Sequence, residues 1–308
     1  MVMPAILKGS MIRLFGTLFV GLCGLCFGSF LNVCLSRWPE EESVVLPGSH
    51  CRHCSHVLSW WENIPLLSWL LLRGRCCECR TWIGWRYPLV EAAVGGLWAW
   101  TGFRLFHFIQ NCLYFLIQPL PSQIAPFALH SVGYLIFLWI MVALLMLDAE
   151  HFWLPDRLTL GGILPGFLVY VGYYLLDMQW DYRQPGAISS LVTMILLWIG
   201  QVVVAAGALW LIRWIYEKLR HREGIGMGDV KLMALLAAWL GLPQTLLAFV
   251  IAVFVGSLVA GVFLLKNKNG EEMASMKMPL GTFLCLGGII SCLWGEPLTR
   301  FYQHWAGF

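Results

Sequence analysis

Long apolar segments recur along nearly the whole of this 308-residue chain, and they constrain its fold more than any other feature. A helix needs about 20 apolar residues to cross a bilayer, because its backbone polar groups are satisfied only within the segment. The pattern predicts an all-α polytopic membrane protein with about eight transmembrane helices. The predicted spans are residues 11–36, 89–107, 129–148, 158–176, 187–214, 229–242, 244–265 and 279–296.

The sixth predicted span is short, and Pro243 separates it from the seventh. These two segments are therefore also compatible with a re-entrant hairpin. Only 12% of the residues are charged, against about 25% in ordinary soluble domains. The formal charge of +3 is too small to indicate nucleic acid, so the lipid bilayer is the expected partner of the chain surface.

Positive charge is concentrated in the connections on one side of the predicted spans. Because Lys and Arg favour the cytoplasmic side, this asymmetry fixes the orientation. The predicted cytoplasmic segments are residues 37–88, 149–157, 215–228 and 266–278. Both ends of the chain then fall on the outer side.

The chain divides into three predicted regions. Residues 1–36 form a first transmembrane helix, which has no small-residue cleavage site and is expected to be retained. Residues 37–88 form a small cytoplasmic module, and residues 89–308 form a membrane core of about seven helices. Residues 108–128 and 177–186 are predicted outer connections, in which prolines disfavour regular helix.

Four cysteines in the 37–88 module form two C-x-x-C pairs. Cys51 and Cys54 make the first pair, and Cys76 and Cys79 make the second. Each pair can bring two thiolates to one ion, and two pairs complete a tetrahedral shell. The pattern predicts a zinc-ribbon-like module with a structural zinc ion, because a reducing cytoplasm disfavours disulfides.

Other side chains near these pairs leave the ligand set open. Cys77 is an extra thiol that could exchange with a ligand, and three histidines could substitute as ligands: His50, His53 and His56. Cys23 and Cys26 form another C-x-x-C pair, but they lie inside the first span. Glycines surround them there, which favours close helix packing over metal binding.

Two aspartates lie at the edges of apolar segments. Asp148 follows the apolar run 134–147, and Asp229 begins the sixth span after the flexible Gly226–Gly228 approach. A carboxylate at membrane depth is costly and usually functional. The predicted topology places both residues at the cytoplasmic face, where two carboxylates that share a proton can activate water for amide hydrolysis.

Each aspartate taken alone could also be a solvated helix end, since Asp229 at a helix start would favour the helix dipole. Asp156 competes with Asp148 for the first position of the pair. It follows Pro155 and precedes Arg157, a context more typical of a helix cap.

These motifs, in this order, resemble the type IV prepilin peptidase family, the bifunctional leader peptidases and N-methyltransferases of bacterial pilus and type II secretion systems. The resemblance runs nearly end to end. Its blocks are residues 28–39, the two C-x-x-C pairs, and residues 62–70, 86–91, 148–156 and 226–229. The last block resembles the GxGD motif of presenilin-like and preflagellin peptidases.

The resemblance implies that Asp148 and Asp229 are the catalytic dyad of an aspartyl protease and that the four paired cysteines are metal ligands. It implies cleavage of prepilins or pseudopilins after a glycine, at the cytoplasmic face of the bacterial inner membrane. It also implies methylation of the new N-terminal residue, often phenylalanine, with S-adenosylmethionine as the methyl donor.

No glycine-rich strand–loop–helix marks a site for this donor. Candidates lie in residues 28–91, with Glu62 and Glu91 the best of them. Their structural alternative is that Glu91 pairs with a loop arginine and that Asn32 satisfies backbone groups. A homo-oligomer is neither required nor excluded by the sequence.

Two rival functions use the same residues. A transporter could line a proton or cation path with the two aspartates, but it would be expected to spread polar residues through the spans. A non-catalytic scaffold could dock partners through the zinc module, but it leaves the Gly226–Asp229 motif unexplained. No H-E-x-x-H or G-x-S-x-G motif points to another protease class.

Overall fold

The computed structural model describes residues 3–114, 120–178, 187–221, 224–266 and 278–306. Within these ranges all regular structure is helical, and no β-strand is present. Six helical segments are long and apolar enough to cross a membrane: Ser10–Glu40, Ile124–His151, Asp156–Leu176, Leu191–Arg220, Met227–Phe263 and Leu280–Trp305. The prediction of an all-α multi-pass membrane protein is confirmed at this level, whereas the count of eight spans stays a prediction.

The chain forms two compact units, Met1–Ala143 and Leu144–Phe308. The first unit contains α1 (Met3–Arg37), α2 (Leu67–Leu71), α3 (Arg86–Tyr114) and most of α4 (Leu120–His151). Two short 3-10 helices, Trp38–Glu40 and Trp60–Asn63, lie between α1 and α2.

Helices α1 and α3 pack closely because glycines line their contact. A Cβ atom added to Gly28 would lie 2.8 Å from the Cα of Glu91, and one added to Gly24 would lie 3.0 Å from the Cα of Gly95. Such contacts let helix backbones approach each other without side chains between them. Among the described residues, Cys23 and Cys26 join no group of side chains that could share a metal ion, in keeping with the packing interpretation.

We predicted that prolines disfavour regular helix in the connection at residues 108–128. For the described parts of this segment that prediction is wrong. Helix α3 continues to Tyr114, and α4 already begins at Leu120. Pro121 falls in the first turn of α4, where its missing N–H would have had no helical partner. Residues 115–119, 179–186 and 267–277 of the predicted connections lie outside the described residues.

The second unit is built around one long helix. It contains α5 (Asp156–Thr159), α6 (Ile163–Met178), α7 (Ala187–Arg220), α8 (Met227–Lys266) and α9 (Leu280–Ala306). Helix α8 packs against α6, α7 and α9. It therefore carries the Asp229 motif at its start and the packing surface of the unit along its length.

Helix α8 is broken at Gly241, whose φ of 75° and ψ of 169° are not helical. Glycine tolerates this positive φ, and Pro243 cannot donate a hydrogen bond across the break. The freed N–H of Leu242 donates to Oε1 of Gln201 on α7 at 2.9 Å. The sixth and seventh predicted spans thus correspond to two helical segments that meet at the break at Gly241.

Substitution of Gly28 by alanine tests the close packing of α1 on α3. The new methyl group would meet the backbone at Glu91, which cannot rotate away. Overpacking of this kind costs about 1–3 kcal/mol, so the unfolding temperature of the purified protein in detergent should fall. Gly96→Ala is the control, because a Cβ atom there meets nothing within 4 Å. Equal unfolding temperatures for the two variants would contradict the packing.

Candidate active site and cysteine cluster

Asp148 lies in the last turn of α4 and is only 6% exposed. Its Oδ2 accepts two hydrogen bonds from Thr282, one from the backbone N–H at 2.6 Å and one from the hydroxyl at 2.9 Å. Thr282 stands in the first turn of α9, where backbone N–H groups have no helical partner. The carboxylate therefore satisfies a helix end and is held in one orientation by it.

Asp229 lies in the first turn of α8 and is 8% exposed. Its Oδ2 accepts the backbone N–H of Gly226 at 3.1 Å. The Gly226–Gly228 approach thus folds back over the carboxylate and fixes it. Both aspartates are buried, so neither is the freely solvated helix end that the sequence left open.

Leu154 lies between the start of α8, which carries Asp229, and the start of α9, which binds Asp148. A Cβ atom added to Gly228 would lie 3.1 Å from the Cβ of Leu154, and one added to Gly281 would lie 2.9 Å from its Cδ1. The Cβ atom at Gly281 would also lie 2.9 Å from Oδ2 of Asp148. The second unit therefore brings the two predicted aspartates into one neighbourhood.

Asp156 differs from these two aspartates in its exposure and in its ion pair. It is the first residue of α5, it is exposed, and its Oδ1 accepts the ammonium group of Lys231 at 2.6 Å. A catalytic acid of this kind is expected to be buried, and the Asp156 carboxylate is exposed and ion-paired. Asp148 is thus the better candidate of the two.

Thr282 and Gly281 belong to this site, and the sequence analysis missed both. A Cβ atom at Gly281 would lie 2.9 Å from Oδ2 of Asp148, so only glycine leaves room for the carboxylate. The sequence placed these residues at the start of the last predicted span. Their one visible signal was Pro279, which precedes a helix whose first turn offers free N–H groups.

The two C-x-x-C pairs fold into matching turns. The N–H of Ser55 donates to the carbonyl of Cys51 at 2.9 Å, and the N–H of Arg80 donates to the carbonyl of Cys76 at 3.1 Å. Ser55 and Arg80 both have left-handed backbones, with φ of 58° and 59°. Each turn therefore presents its two thiols on the same side.

The four sulfur atoms of Cys51, Cys54, Cys76 and Cys79 all lie within 4.8 Å of one another. The Sγ–Sγ distance is 3.8 Å between Cys51 and Cys79 and 3.9 Å between Cys54 and Cys76. A tetrahedral zinc ion with Zn–S bonds of about 2.3 Å requires sulfur atoms about 3.8 Å apart. The cluster therefore fits the predicted zinc site.

The nearby histidines stay outside this four-cysteine cluster. His50 Nδ1 contacts the carbonyl of Gly48 at 3.0 Å. His56 Nε2 lies 3.2 Å from Oε2 of Glu62 and 3.4 Å from Sγ of Cys77. In the described part of the chain, His56, Glu62 and Cys77 form a separate group.

A cavity of about 360 Å³ lies within the first unit. Its wall includes residues from α1, α2, α3 and both cysteine turns. Glu62 and Glu91, the two candidates for the methyl donor, both line it. The volume is in the range of small-molecule sites, which is about 300–1,000 Å³.

The two glutamates have different surroundings. Oε2 of Glu91 accepts the N–H of Leu66 at 2.8 Å, and no arginine in the described ranges forms an ion pair with it. Oε2 of Glu62 accepts the N–H of Ser59 at 2.8 Å in a capping box. A hydrogen bond with Cys77, assisted by Ser59 and His56, lowers the pKa of Glu62 below its ordinary value.

Two parts of the chain match known families. Residues 22–105 match the family described as Bacterial Peptidase A24 N-terminal domain, and this match covers the second half of α1, the cysteine turns and the cavity. Residues 135–261 match the family described as Type IV leader peptidase family, and this match includes both aspartates. No solved structure matches the chain.

Three relatives carry the name prepilin leader peptidase/N-methyltransferase. The relative from Pseudomonas aeruginosa is 32% identical over 310 residues, which is 93% of each chain. The relative from Stutzerimonas stutzeri is 32% identical and the one from Aeromonas hydrophila 33% identical, each over 92% of both chains. The chain therefore belongs to the type IV leader peptidase family, and the enzyme predicted from its sequence, a membrane peptidase with methyltransferase activity, is confirmed at the level of the family.

Proposed function

We propose that this enzyme removes the leader of type IV prepilins or pseudopilins, cutting after a glycine, and that Asp148 and Asp229 catalyse the cleavage. The observation that carries the proposal is the burial of both carboxylates in the second unit, with Thr282 fixing one of them. The names of the relatives support the substrate class.

In the proposed reaction the dyad holds one proton between two carboxylates. The ionised member takes a proton from water, and the protonated member donates to the oxygen of the scissile carbonyl. The water oxygen adds to the carbonyl carbon to give a tetrahedral intermediate. As its C–N bond breaks, the proton taken from water passes to the leaving amine, and the proton donated to the carbonyl oxygen returns to its aspartate. Thr282 occupies Oδ2 of Asp148, so we assign Oδ1 to the reacting water.

We further propose that this site faces the cytoplasm and that the enzyme resides in the bacterial inner membrane. The distribution of Lys and Arg supports this orientation. The eight-span topology and the division at residues 36/37 and 88/89 belong to the same proposal. Six candidate spans support the multi-pass part of it.

Replacement of either aspartate by asparagine tests the dyad. Asp148→Asn and Asp229→Asn each remove one exchangeable proton site while keeping the side-chain shape, so leader cleavage should fall below detection for both. The measurement is cleavage of a prepilin by purified enzyme, with membrane insertion checked by fractionation. Asp156→Asn is the matched control and should retain cleavage. Full cleavage by Asp229→Asn would refute the dyad.

Thr282 is proposed as a positioning residue for Asp148. Thr282→Val keeps the backbone N–H bond and removes the hydroxyl bond to Oδ2. A hydrogen bond to a charged group contributes about 1.5–3 kcal/mol, so kcat for cleavage should fall about 10- to 100-fold with KM nearly unchanged. Thr282→Ser restores the hydroxyl and should recover most of the activity. Equal kcat for the valine and serine variants would exclude this role.

We propose that Cys51, Cys54, Cys76 and Cys79 hold a structural zinc ion. The sulfur–sulfur distances support this assignment, as does the thiol donor set. When bound, the ion would link the two cysteine turns and stabilise the module. No step of the cleavage is assigned to it.

Cys51→Ser tests this metal site by elemental analysis. Bound zinc should fall from about one ion per chain to near zero, because three thiols hold zinc less well than four. The unfolding temperature should fall with it, whereas the rate of leader cleavage should change little. Cys26→Ser is the control, since Cys26 lies in α1 outside the cluster. Absence of zinc from both wild type and variant would refute the assignment.

We propose the cavity of the first unit as the site of N-methylation, with Glu62 and Glu91 among its acidic groups. When bound, S-adenosylmethionine supplies a methyl group, which the neutral N-terminal amine takes while the C–S electron pair stays on sulfur and a proton leaves to solvent. A sulfonium cation suits a cavity with acidic groups. The match of residues 22–105 supports a function for this unit beyond the aspartate pair.

Ser68→Trp fills the cavity from α2 and tests this assignment. Ser68 lines the cavity, so an indole ring there should exclude the donor and lower methyl transfer at least about tenfold. Leader cleavage should persist, because it depends on the second unit. Label uptake from a methyl-labelled donor and leader loss are followed separately, with Ser68→Ala as control. Normal methyl transfer by the tryptophan variant would contradict the assignment.

A further inference from the structure

Two buried oxygen atoms, on residues that line the first-unit cavity, have no hydrogen-bond partner. They are Oδ1 of Asn32, from α1, and Oε1 of Glu62, from the second 3-10 helix. Asn32 is 2% exposed and Glu62 is 7% exposed. Buried acceptors are normally paired, so two of them on one cavity indicate a ligand that donates hydrogen bonds.

The unpaired atom of Asn32 is the amide oxygen, because a hydrogen bond to a carbonyl group identifies the other end of the amide as the nitrogen. Nδ2 of Asn32 donates to the carbonyl oxygen of Tyr87 at 3.0 Å. A carbonyl only accepts, so turning the amide over would place two oxygens against each other and lose this bond. The structural role predicted for Asn32 is confirmed, and the same bond leaves an acceptor on its other end.

The unpaired atom of Glu62 is Oε1, because the hydrogen-bond contacts of this carboxylate are made by Oε2. Oε2 accepts the N–H of Ser59 at 2.8 Å and lies 3.2 Å from Nε2 of His56. The thiol of Cys77 lies 3.4 Å from the same nitrogen of His56. These contacts fix the carboxylate plane, and they leave Oε1 unpaired.

Glu91 differs from Glu62 in this respect. Its carboxylate accepts the N–H of Leu66 at 2.8 Å, and neither of its oxygens is both buried and unpaired. It holds the loop at Leu66, whose backbone has a φ of 59°. Of the two glutamates predicted for the donor, Glu62 is therefore the one with capacity to bind a ligand.

We propose that Oδ1 of Asn32 and Oε1 of Glu62 bind a primary amino group in its ammonium or amine form. An amino group offers several N–H donors, and its positive form also balances the charge of the Glu62 carboxylate. The inference rests on the proposed methyl-transfer function of this cavity. Two molecules of that reaction carry such a group: the amino acid part of S-adenosylmethionine, and the new N-terminus of the cleaved substrate.

The variants Asn32→Leu and Glu62→Gln test the site through binding and kinetics. The probes are S-adenosylmethionine, 5′-methylthioadenosine, which lacks the amino acid part, and a peptide that begins at the mature N-terminus. Dissociation constants of the first two are measured by equilibrium dialysis, and KM of the peptide is measured by label uptake. Unfolding temperatures show whether each variant is folded, and Asn32→Ala serves if the leucine variant is not.

If the site binds the ammonium group of the donor, both variants should raise the dissociation constant of S-adenosylmethionine at least tenfold. The dissociation constant of 5′-methylthioadenosine should stay within twofold of wild type. Binding of the substrate's amine predicts unchanged donor affinity and a KM for the peptide raised at least tenfold. Asn111→Leu and Glu41→Gln are matched controls, because both residues are exposed and neither lines the cavity. Both controls should keep the donor dissociation constants and the peptide KM within twofold of wild type.

The proposal is overturned if the folded variants keep both the donor affinity and the peptide KM within twofold of wild type. Ser68→Trp separates this result from failure of the underlying function. If Ser68→Trp blocks methyl transfer while Asn32→Leu and Glu62→Gln have no effect, the cavity is the methylation site and the amino-binding pair is wrong. If Ser68→Trp also has no effect, the cavity is not the methylation site.

Discussion

The hydrogen bonds between Asp148 and Thr282 are the interaction on which the candidate active site depends. A carboxylate among apolar helices is costly unless donors satisfy it. The start of α9 supplies a backbone N–H and a hydroxyl to one oxygen, and Gly281 leaves the space that the carboxylate needs. Asp229 is satisfied in the same way by the N–H of Gly226. Helix ends thus hold both acids.

In the first unit, the cysteine turns form part of the wall of a cavity as well as a metal cluster. Cys51 and Cys76 belong to the cluster and also line the cavity. Glu62 lies on a 3-10 helix between the two turns, and the close contact of α1 with α3 brings Asn32 and Glu91 to the same wall. A structural metal would then stabilise the shape of a binding site, which makes the scaffold alternative unnecessary.

Much of this architecture could be predicted because it depends on local patterns. Apolar segments predicted the helices, the C-x-x-C spacing predicted the cysteine cluster, and an acid beside Gly226–Gly228 marked Asp229. The transporter alternative loses support because the matched families and named relatives are peptidases. The described prolines of the predicted connection did not prevent helix: Pro121 lies in the first turn of α4, where a proline costs little, and Pro126 lies inside the same helix.

The remaining features depend on contacts between residues distant in the sequence. Thr282 is 134 residues from Asp148, and nothing in its own neighbourhood marks it as the partner of an acid. The role of Asn32 depends on the carbonyl of Tyr87, 55 residues away. Glu62 and Glu91 could be named from the sequence, but only their hydrogen-bond partners distinguish the loop-holding residue from the one with an unpaired oxygen.

Cross-linking between the two aspartate positions tests most directly whether the acids converge. Asp148→Cys and Asp229→Cys are combined with Cys285→Ala, because Cys285 is a free thiol of the same unit and could compete for the cross-link. A disulfide joins Cα atoms about 4–7 Å apart, and a short bifunctional thiol reagent extends that reach. Convergence predicts a peptide pair linked in the double variant and absent from each single variant, as detected by mass spectrometry. If both thiols react singly with a small reagent but neither oxidation nor the short linker joins them, the two carboxylates do not act on one water molecule.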